Sequence, residues 1–340
     1  MREIVLGQIG LGSWGPNLLR NFRATPGCRV AKVAELDAER FHRIDHGPDG
    51  PDLVADHREI LRDPSIDAVV VAAPSETHYP LGRAALEAGK HLFVEKPLAL
   101  SAREGARLVD LARARERILM VGHLLMYHPA VLAMAAQVRR GRIGRLRVVG
   151  VRRRAFGRLQ TGCSVLWDLG PHDVSIALMI AGLAPEAVSS VGGAFIQPGL
   201  PELSLTTISL AGGALATIEE SWIAPFRERQ LLAVGERGML LFDELAPDGV
   251  HLKHFSMSIR RGPRSPLTVF EYLDEGATPL EVEAGQPLEA ECREFVACVR
   301  RRRRPRADGE NGVAVLRVLE AAAASQRAGG RRVRLQGGRK

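Results

Sequence analysis

The sequence predicts an α/β protein in two parts. An N-terminal Rossmann domain with a doubly wound parallel sheet is expected over residues 1–122, and a C-terminal α+β domain with an open, mainly antiparallel sheet over 123–340. Three observations predict this. The glycine-rich turn Gly10-Leu11-Gly12-Ser13-Trp14-Gly15 directly follows the apolar run Ile4 to Ile9. Apolar runs without polar alternation then alternate with helical patterns as far as Val121, the signature of parallel strands covered on both faces. Beyond Pro185 the pattern changes to extended segments separated at short intervals by Gly and Pro, as in an antiparallel sheet.

Each element has its own reason. In the turn, Gly10 allows a tight strand-to-helix reversal, Gly12 lets the backbone approach a pyrophosphate, and Gly15 lets the helix pack closely on the sheet. Pro16 stands where the helix 17–24 should begin, a position that needs no amide donor, so the helix N-terminus points at an anion. Strands are expected at 29–35, 68–73, 91–94 and 118–121, with helices at 77–88 and 102–116 between them. Glu35 lies twenty residues beyond Gly15 at a strand end, where a carboxylate can hold a ribose and repel a 2′-phosphate; this predicts NAD, with nearby Arg40 keeping NADP as an alternative.

In the second part, helices are expected at 129–140 and 167–181 on either side of a strand at 147–156. Extended segments follow at 188–196, 203–210, 214–222, 230–234 and 239–242, then a loop at Gly262 to Pro266 and closing helices at 288–300 and 312–326. Leu205 to Leu210 mixes apolar and hydroxyl residues, so one sheet face should stand off the core and suit a partner subunit, giving a homodimer or homotetramer.

Composition narrows the function. The net charge of +8 lies entirely in the second part, since residues 1–122 carry 17 basic and 17 acidic side chains and the remainder 30 and 22. The excess is mostly Arg, without aromatic interleaving or a reading motif, so no nucleic-acid partner is expected. Cys28, Cys163, Cys292 and Cys298 form no CxxC pair, so neither zinc nor a disulfide is expected. No stretch is apolar enough for a membrane span, and a first strand starting at Glu3 leaves no room for a signal peptide, which predicts a cytoplasmic protein.

Two further stretches carry chemistry. In Val94-Glu95-Lys96-Pro97 a strand ends in a lysine between an acid and a proline, at the ligand-binding edge of a parallel sheet. In Trp167-Asp168-Leu169-Gly170-Pro171-His172 the four-residue spacing would put carboxylate and imidazole on one helix face, with Pro171 making the first turn irregular. Between them, Gly122 to Ala130 links the two domains and should border the cleft.

Together with the turn and with Ala73-Pro74-Ser75-Glu76-Thr77-His78, these stretches resemble the Gfo/Idh/MocA family of sugar and inositol oxidoreductases. The forms WGPNLLRNF and VLWDLGPHD look most like sugar 3-dehydrogenases of nucleotide-sugar or aminoglycoside pathways. The resemblance implies that Lys96 binds the reacting oxygen, His172 accepts the proton and Asp168 orients the reacting groups. It assigns cofactor binding to Gly10, Gly12, Ser13, Trp14, Gly15, Glu35, Pro74, His78, Glu95 and Lys96, and substrate binding to Tyr127, Arg158, Asp168 and His172. Met126 departs from the charged residue many relatives carry there. Arg152, Arg153, Arg154 and Arg158 could meet the phosphates of a nucleotide sugar, and Glu219 and Glu220 a cationic aminoglycoside precursor. Free inositol or another cyclic polyol is an alternative substrate; a dinucleotide-sensing regulator and an NAD-dependent glycosidase are alternative functions.

Overall fold

A computed structural model describes residues 2–44, 50–157, 159–265 and 268–335. The chain divides into two compact units, Met1–Tyr127 with Gln286–Arg317, and His128–Gly285 with Val318–Lys340.

In the first unit the chain runs β1 (Ile4–Ile9), α1 (Gly15–Arg23), β2 (Cys28–Ala34), β3 (Asp52–Val54), α2 (Arg58–Arg62), β4 (Ala68–Val71), α3 (His78–Glu87), β5 (His91–Glu95), α4 (Ala102–Ala114) and β6 (Leu119–Gly122). The strands lie in the order β3-β2-β1-β4-β5-β6, all parallel, so the order reverses between β1 and β4 beside the glycine turn. All four residues of β4 are buried, which is why its sequence is an unbroken apolar run.

The second unit carries α5 (Pro129–Arg139), β7 (Leu146–Phe156), α6 (Val165–Ala181), β8 (Pro185–Gly193), β9 (Leu203–Leu210), β10 (Leu215–Ser221), β11 (Ile223–Gly235), β12 (Met239–Asp243), β13 (Leu252–Ser265) and β14 (Thr268–Pro279). Next come α7 (Pro287–Arg301), which belongs to the first unit, then α8 (Gly309–Arg327), within which the division falls, and β15 (Val333–Arg334). Among the described residues the second sheet has nine strands in the order β14-β13-β12-β11-β7-β10-β9-β8-β15, antiparallel except where β10 pairs β7. Burial alternates along β9 and β10: Ala216 and Ile218 point into the core, while Leu205, Thr207, Leu215 and Thr217 are exposed on the other face. Of these, Leu205, Thr207 and Thr217 border an open hollow of about 470 Å³ with Gln230, Leu232 and Leu241.

The structure departs from the sequence-based expectations in several places. The segment Gln286–Arg317 packs with the first unit rather than with the second part, because Phe295 of α7 completes a buried cluster with Phe22 and Phe93. Their ring centroids lie 5.6–6.0 Å apart in edge-on geometry, an arrangement contributing about 0.5–1.5 kcal/mol per pair beyond area burial. Residues Gly262 to Ser265 belong to β13 rather than to a loop, while Pro266 lies outside the described residues. The hairpin of β13 and β14 leaves Ile259 and Tyr272 exposed, so main-chain pairing makes these strands and no burial pattern announces them. Finally, α6 begins two residues before Trp167, which places Asp168 in its first turn and Pro171 in its interior. No described helix is long and apolar enough to cross a membrane.

Candidate active site

The glycine turn has the shape its sequence requires. Gly10 has φ of +99°, and a Cβ there would lie 2.5 Å from the Ala72 carbonyl oxygen; at Gly15 it would lie 2.6 Å from the oxygen of Gly10. Gly12 is different, since its nearest neighbour would be Ala72 O at 3.7 Å, so the backbone there is open to a ligand. Pro16 sits in the first turn of α1 and no side chain caps the helix, which leaves its N-terminus to an anion. Ser13 and Trp14 stand exposed at the rim.

A residue that the sequence reading did not single out holds this loop together. Gln8 of β1 is fully buried, and its amide donates to the carbonyls of Gly10, at 3.0 Å, and Gly15, at 2.9 Å. Its signal was a polar side chain in an otherwise apolar strand just before the glycines. Glu35 closes the loop from the other side. Its Oε2 accepts from the Leu11 amide at 2.7 Å and its Oε1 from the Asp37 amide at 3.1 Å, so the carboxylate is fixed with only 8% of the residue exposed. Arg40 lies 3.1 Å from Asp37 and 3.7 Å from Glu35, so its charge is met within the protein. Leu36 beside it is exposed and offers no donor to a 2′-phosphate.

At the far side of the same sheet, half-buried Lys96 follows the last residue of β5 and is joined to Pro97 by a cis peptide bond. The Glu95 carboxylate accepts from the Lys96 amide at 3.1 Å and lies over Gly122 of β6, where any Cβ would come within 3.0 Å of it. Burial pushes Glu95 up to about 7. Burial also holds Glu291 of α7, a residue not singled out from sequence, well above the carboxylate range, with Glu95 adding to the rise. His123 is buried and pushed down to about 3, first by burial and then by the Lys96 ammonium, so it is neutral.

Other expected site residues turn inward. Tyr127 is 2% exposed, with Arg306 stacked 5.1 Å from its ring centroid and its hydroxyl accepting from the Ala307 amide at 3.4 Å. The hydroxyl is thus engaged inside the first unit rather than offered to a sugar. Met126 is buried as well. Pro74 is exposed and its carbonyl accepts from the Thr77 hydroxyl, closing the short turn before α3. Buried His78 bridges two main-chain carbonyls.

In the second unit, Asp168 and His172 stand one turn apart on α6, both partly exposed. Asp168 in the first turn also suits the helix dipole. Gly170 between them faces the interior, because a Cβ there would lie 2.7 Å from Leu319 and 3.2 Å from Glu220 Oε1. Below the helix, Oδ1 of fully buried Asp173 accepts from both Nη2 and Nε of Arg153 of β7, at 2.6 and 2.7 Å, and its Oδ2 lies 3.1 Å from Nε. Glu220 is fully buried beside them, and burial, reinforced by Asp173, holds it well above the carboxylate range.

These contacts correct the expected phosphate and amine binders. Arg154 pairs with Glu219 at 3.0 Å and with Glu228, and Arg152 lies 3.7 and 3.6 Å from the same two acids. The arginine run is therefore neutralised by acids of β10, β11 and α6, and Glu220 cannot reach a ligand. Arg158 lies outside the described residues.

Comparison with known proteins fits this geometry. Residues 4–123 match the oxidoreductase family model GFO_IDH_MocA, an NAD-binding Rossmann fold, and residues 131–241 match the family's C-terminal domain. The chain belongs to the Gfo/Idh/MocA family. It is 24% identical over 299 residues to the myo-inositol 2-dehydrogenase of Thermotoga maritima, covering 83% of this chain and 89% of that one. It is 29% identical over 157 residues to the UDP-N-acetylglucosamine 3-dehydrogenase of Acidithiobacillus ferrooxidans, covering 46% of this chain and about half, 49%, of that protein. Among solved structures, GenD2 from gentamicin A biosynthesis in complex with NAD superposes with a TM-score of 0.82 over 99% of this chain and 97% of that one, at 24% identity.

For this Gfo/Idh/MocA member the residues present fit NAD. The open side of Gly12 and the uncapped start of α1 suit a pyrophosphate, and the anchored Glu35 carboxylate suits a ribose diol. The family's cofactor, when bound, accepts or returns the hydride. Replacing Glu35 with Ser is expected to narrow the preference for NAD over NADP, measured as the ratio of their dissociation constants. Equal affinities in the unaltered protein would contradict that role.

Proposed function

We propose that the protein transfers hydride between NAD and the carbon 3 hydroxyl of a pyranose carried on a larger group, giving a 3-keto sugar. The observation that carries this reading is the Asp168 and His172 pair, one helical turn apart and both accessible on α6. An alcohol giving up hydride must also lose its hydroxyl proton, and His172 takes it as general base with Asp168 orienting the reacting groups. Lys96 stabilises the developing alkoxide with its ammonium, at the strand end where ligands of such sheets bind. The position of the oxidised carbon is supported by the likeness of half the chain to a UDP-N-acetylglucosamine 3-dehydrogenase. With Arg152, Arg153 and Arg154 paired internally, charge gives no ground for choosing a nucleotide over an aminoglycoside carrier. The open sheet face supports assembly as a homodimer or homotetramer.

The test follows NADH formation with nucleotide sugars, pseudo-oligosaccharide precursors and free inositols, each at several ionic strengths. Turnover of either carried pyranose is expected, with the keto group located by mass spectrometry after borodeuteride reduction. Activity confined to free inositols would replace this substrate. Tight binding without turnover would favour a sensor, and release of a free sugar without net reduction a glycosidase.

A further inference from the structure

His78 opens α3, is 1% exposed, and sits between two main-chain carbonyls. Its Nδ1 is 2.6 Å from the oxygen of Pro97, and its Nε2 is 2.9 Å from the oxygen of Ala73. Ala73 lies two residues beyond the end of β4, and Pro97 two beyond the end of β5, the neighbouring strand. One ring therefore spans the exits of the two strands. Both partners can only accept, so the ring supplies the hydrogen. The two carbonyls favour a hydrogen on each nitrogen, but burial outweighs them and lowers the His78 pKa. A ring with a single N–H donates to one of the two carbonyls according to its tautomer, and Pro97 offers the shorter contact.

The main chain around Lys96 is then held on both sides. Upstream, Glu95 pairs with Gly122 in the sheet and its carboxylate accepts from the Lys96 amide. Downstream, the carbonyl of Pro97 is held by His78. We propose that His78 is a positioning residue for Lys96, acting through the main chain of Pro97 from inside the first unit, and not a contact of the dinucleotide. The cofactor role implied by family resemblance needs an accessible ring, and this one has almost no exposed surface. The proposal rests on Lys96 being the group that meets the reacting oxygen.

The low lysine content makes a direct test practical. Only Lys32, Lys90, Lys96, Lys253 and Lys340 occur, so ¹³C-dimethylation gives few side-chain signals, and Lys96→Arg identifies that of Lys96. In full-length His78→Leu the Lys96 signal is expected to move or broaden, and kcat to fall about 10- to 100-fold for a misplaced catalytic group. The dissociation constant of NAD, from fluorescence titration, should stay unchanged. His78→Asn keeps an N–H able to reach Pro97 and should recover most of both the signal and kcat; it also serves if the Leu variant melts early. An unchanged Lys96 signal in both variants would overturn the proposal, and so would weaker NAD binding at unchanged saturated turnover. If no alcohol is oxidised by the unaltered protein, the reading of Lys96 as a catalytic group fails, and the signal still decides whether His78 positions it.

Discussion

Replacing His172 with alanine is expected to lower kcat by about 10²- to 10⁴-fold, the usual contribution of a positioned general base. NAD affinity should be unaffected, because the glycine turn, Gln8 and Glu35 lie in the first unit, whereas α6 belongs to the second. His172 is on a helix held from below by the Arg153–Asp173 pair, with Gly170 fitted over Glu220, so loss of the imidazole should leave the backbone in place. Thermal melting should match that of the unaltered protein. The sensitive readout is the pH dependence of kcat, whose acid limb should disappear in the variant. Full turnover across the pH range would remove His172 from the mechanism, and a lowered melting temperature accompanying the loss of kcat would mark it as structural.

The second large effect concerns stability. Arg153→Met should destabilise the protein by about 3–5 kcal/mol, the cost of leaving one partner of a buried ion pair uncompensated. Asp173 is fully buried and Glu220 lies beside it, so without the guanidinium two acids would share an apolar site. The partner variant Asp173→Asn also loses the pair, but the double variant should be less unstable than the sum of the two single changes, because no buried charge is then orphaned. Denaturant midpoints of the three variants check this. Strict additivity would mean that the pair is not coupled. Gly170 adds the geometric side of the same design, since α6 can lie this close to Leu319 and Glu220 only with no side chain at that position.

The arginines show where sequence reasoning stops. Three consecutive basic residues look like an anion site when read along the chain, because alternate strand residues with different surroundings appear as one run. In the sheet, Arg153 points down to Asp173, while Arg152 and Arg154 meet acids from β10 and β11, 65 to 76 residues further on. Glu219 and Glu220 divide in the same way, one beside those arginines and the other under α6. Tyr127 is a similar case: a tyrosine in a motif suggests a ligand contact, but its burial depends on Arg306 and Ala307, which arrive from the other end of the chain.

By itself the sequence determined whatever depends on neighbours in the chain. The glycine turn and its parallel-strand context, the position of Glu35, the strand leading into Lys96, and the helical spacing of Asp168 and His172 follow from local sterics and from the periods of strand and helix. Tertiary structure decided what depends on long-range pairing. It assigned Gln286–Arg317 to the first unit through the packing of Phe295 on Phe22 and Phe93. It also formed the β13 and β14 hairpin by main-chain pairing and matched the arginines of β7 with acids of other strands. Burial and Coulomb energies are properties of distances in space, and spacing along a chain carries those distances only within one element.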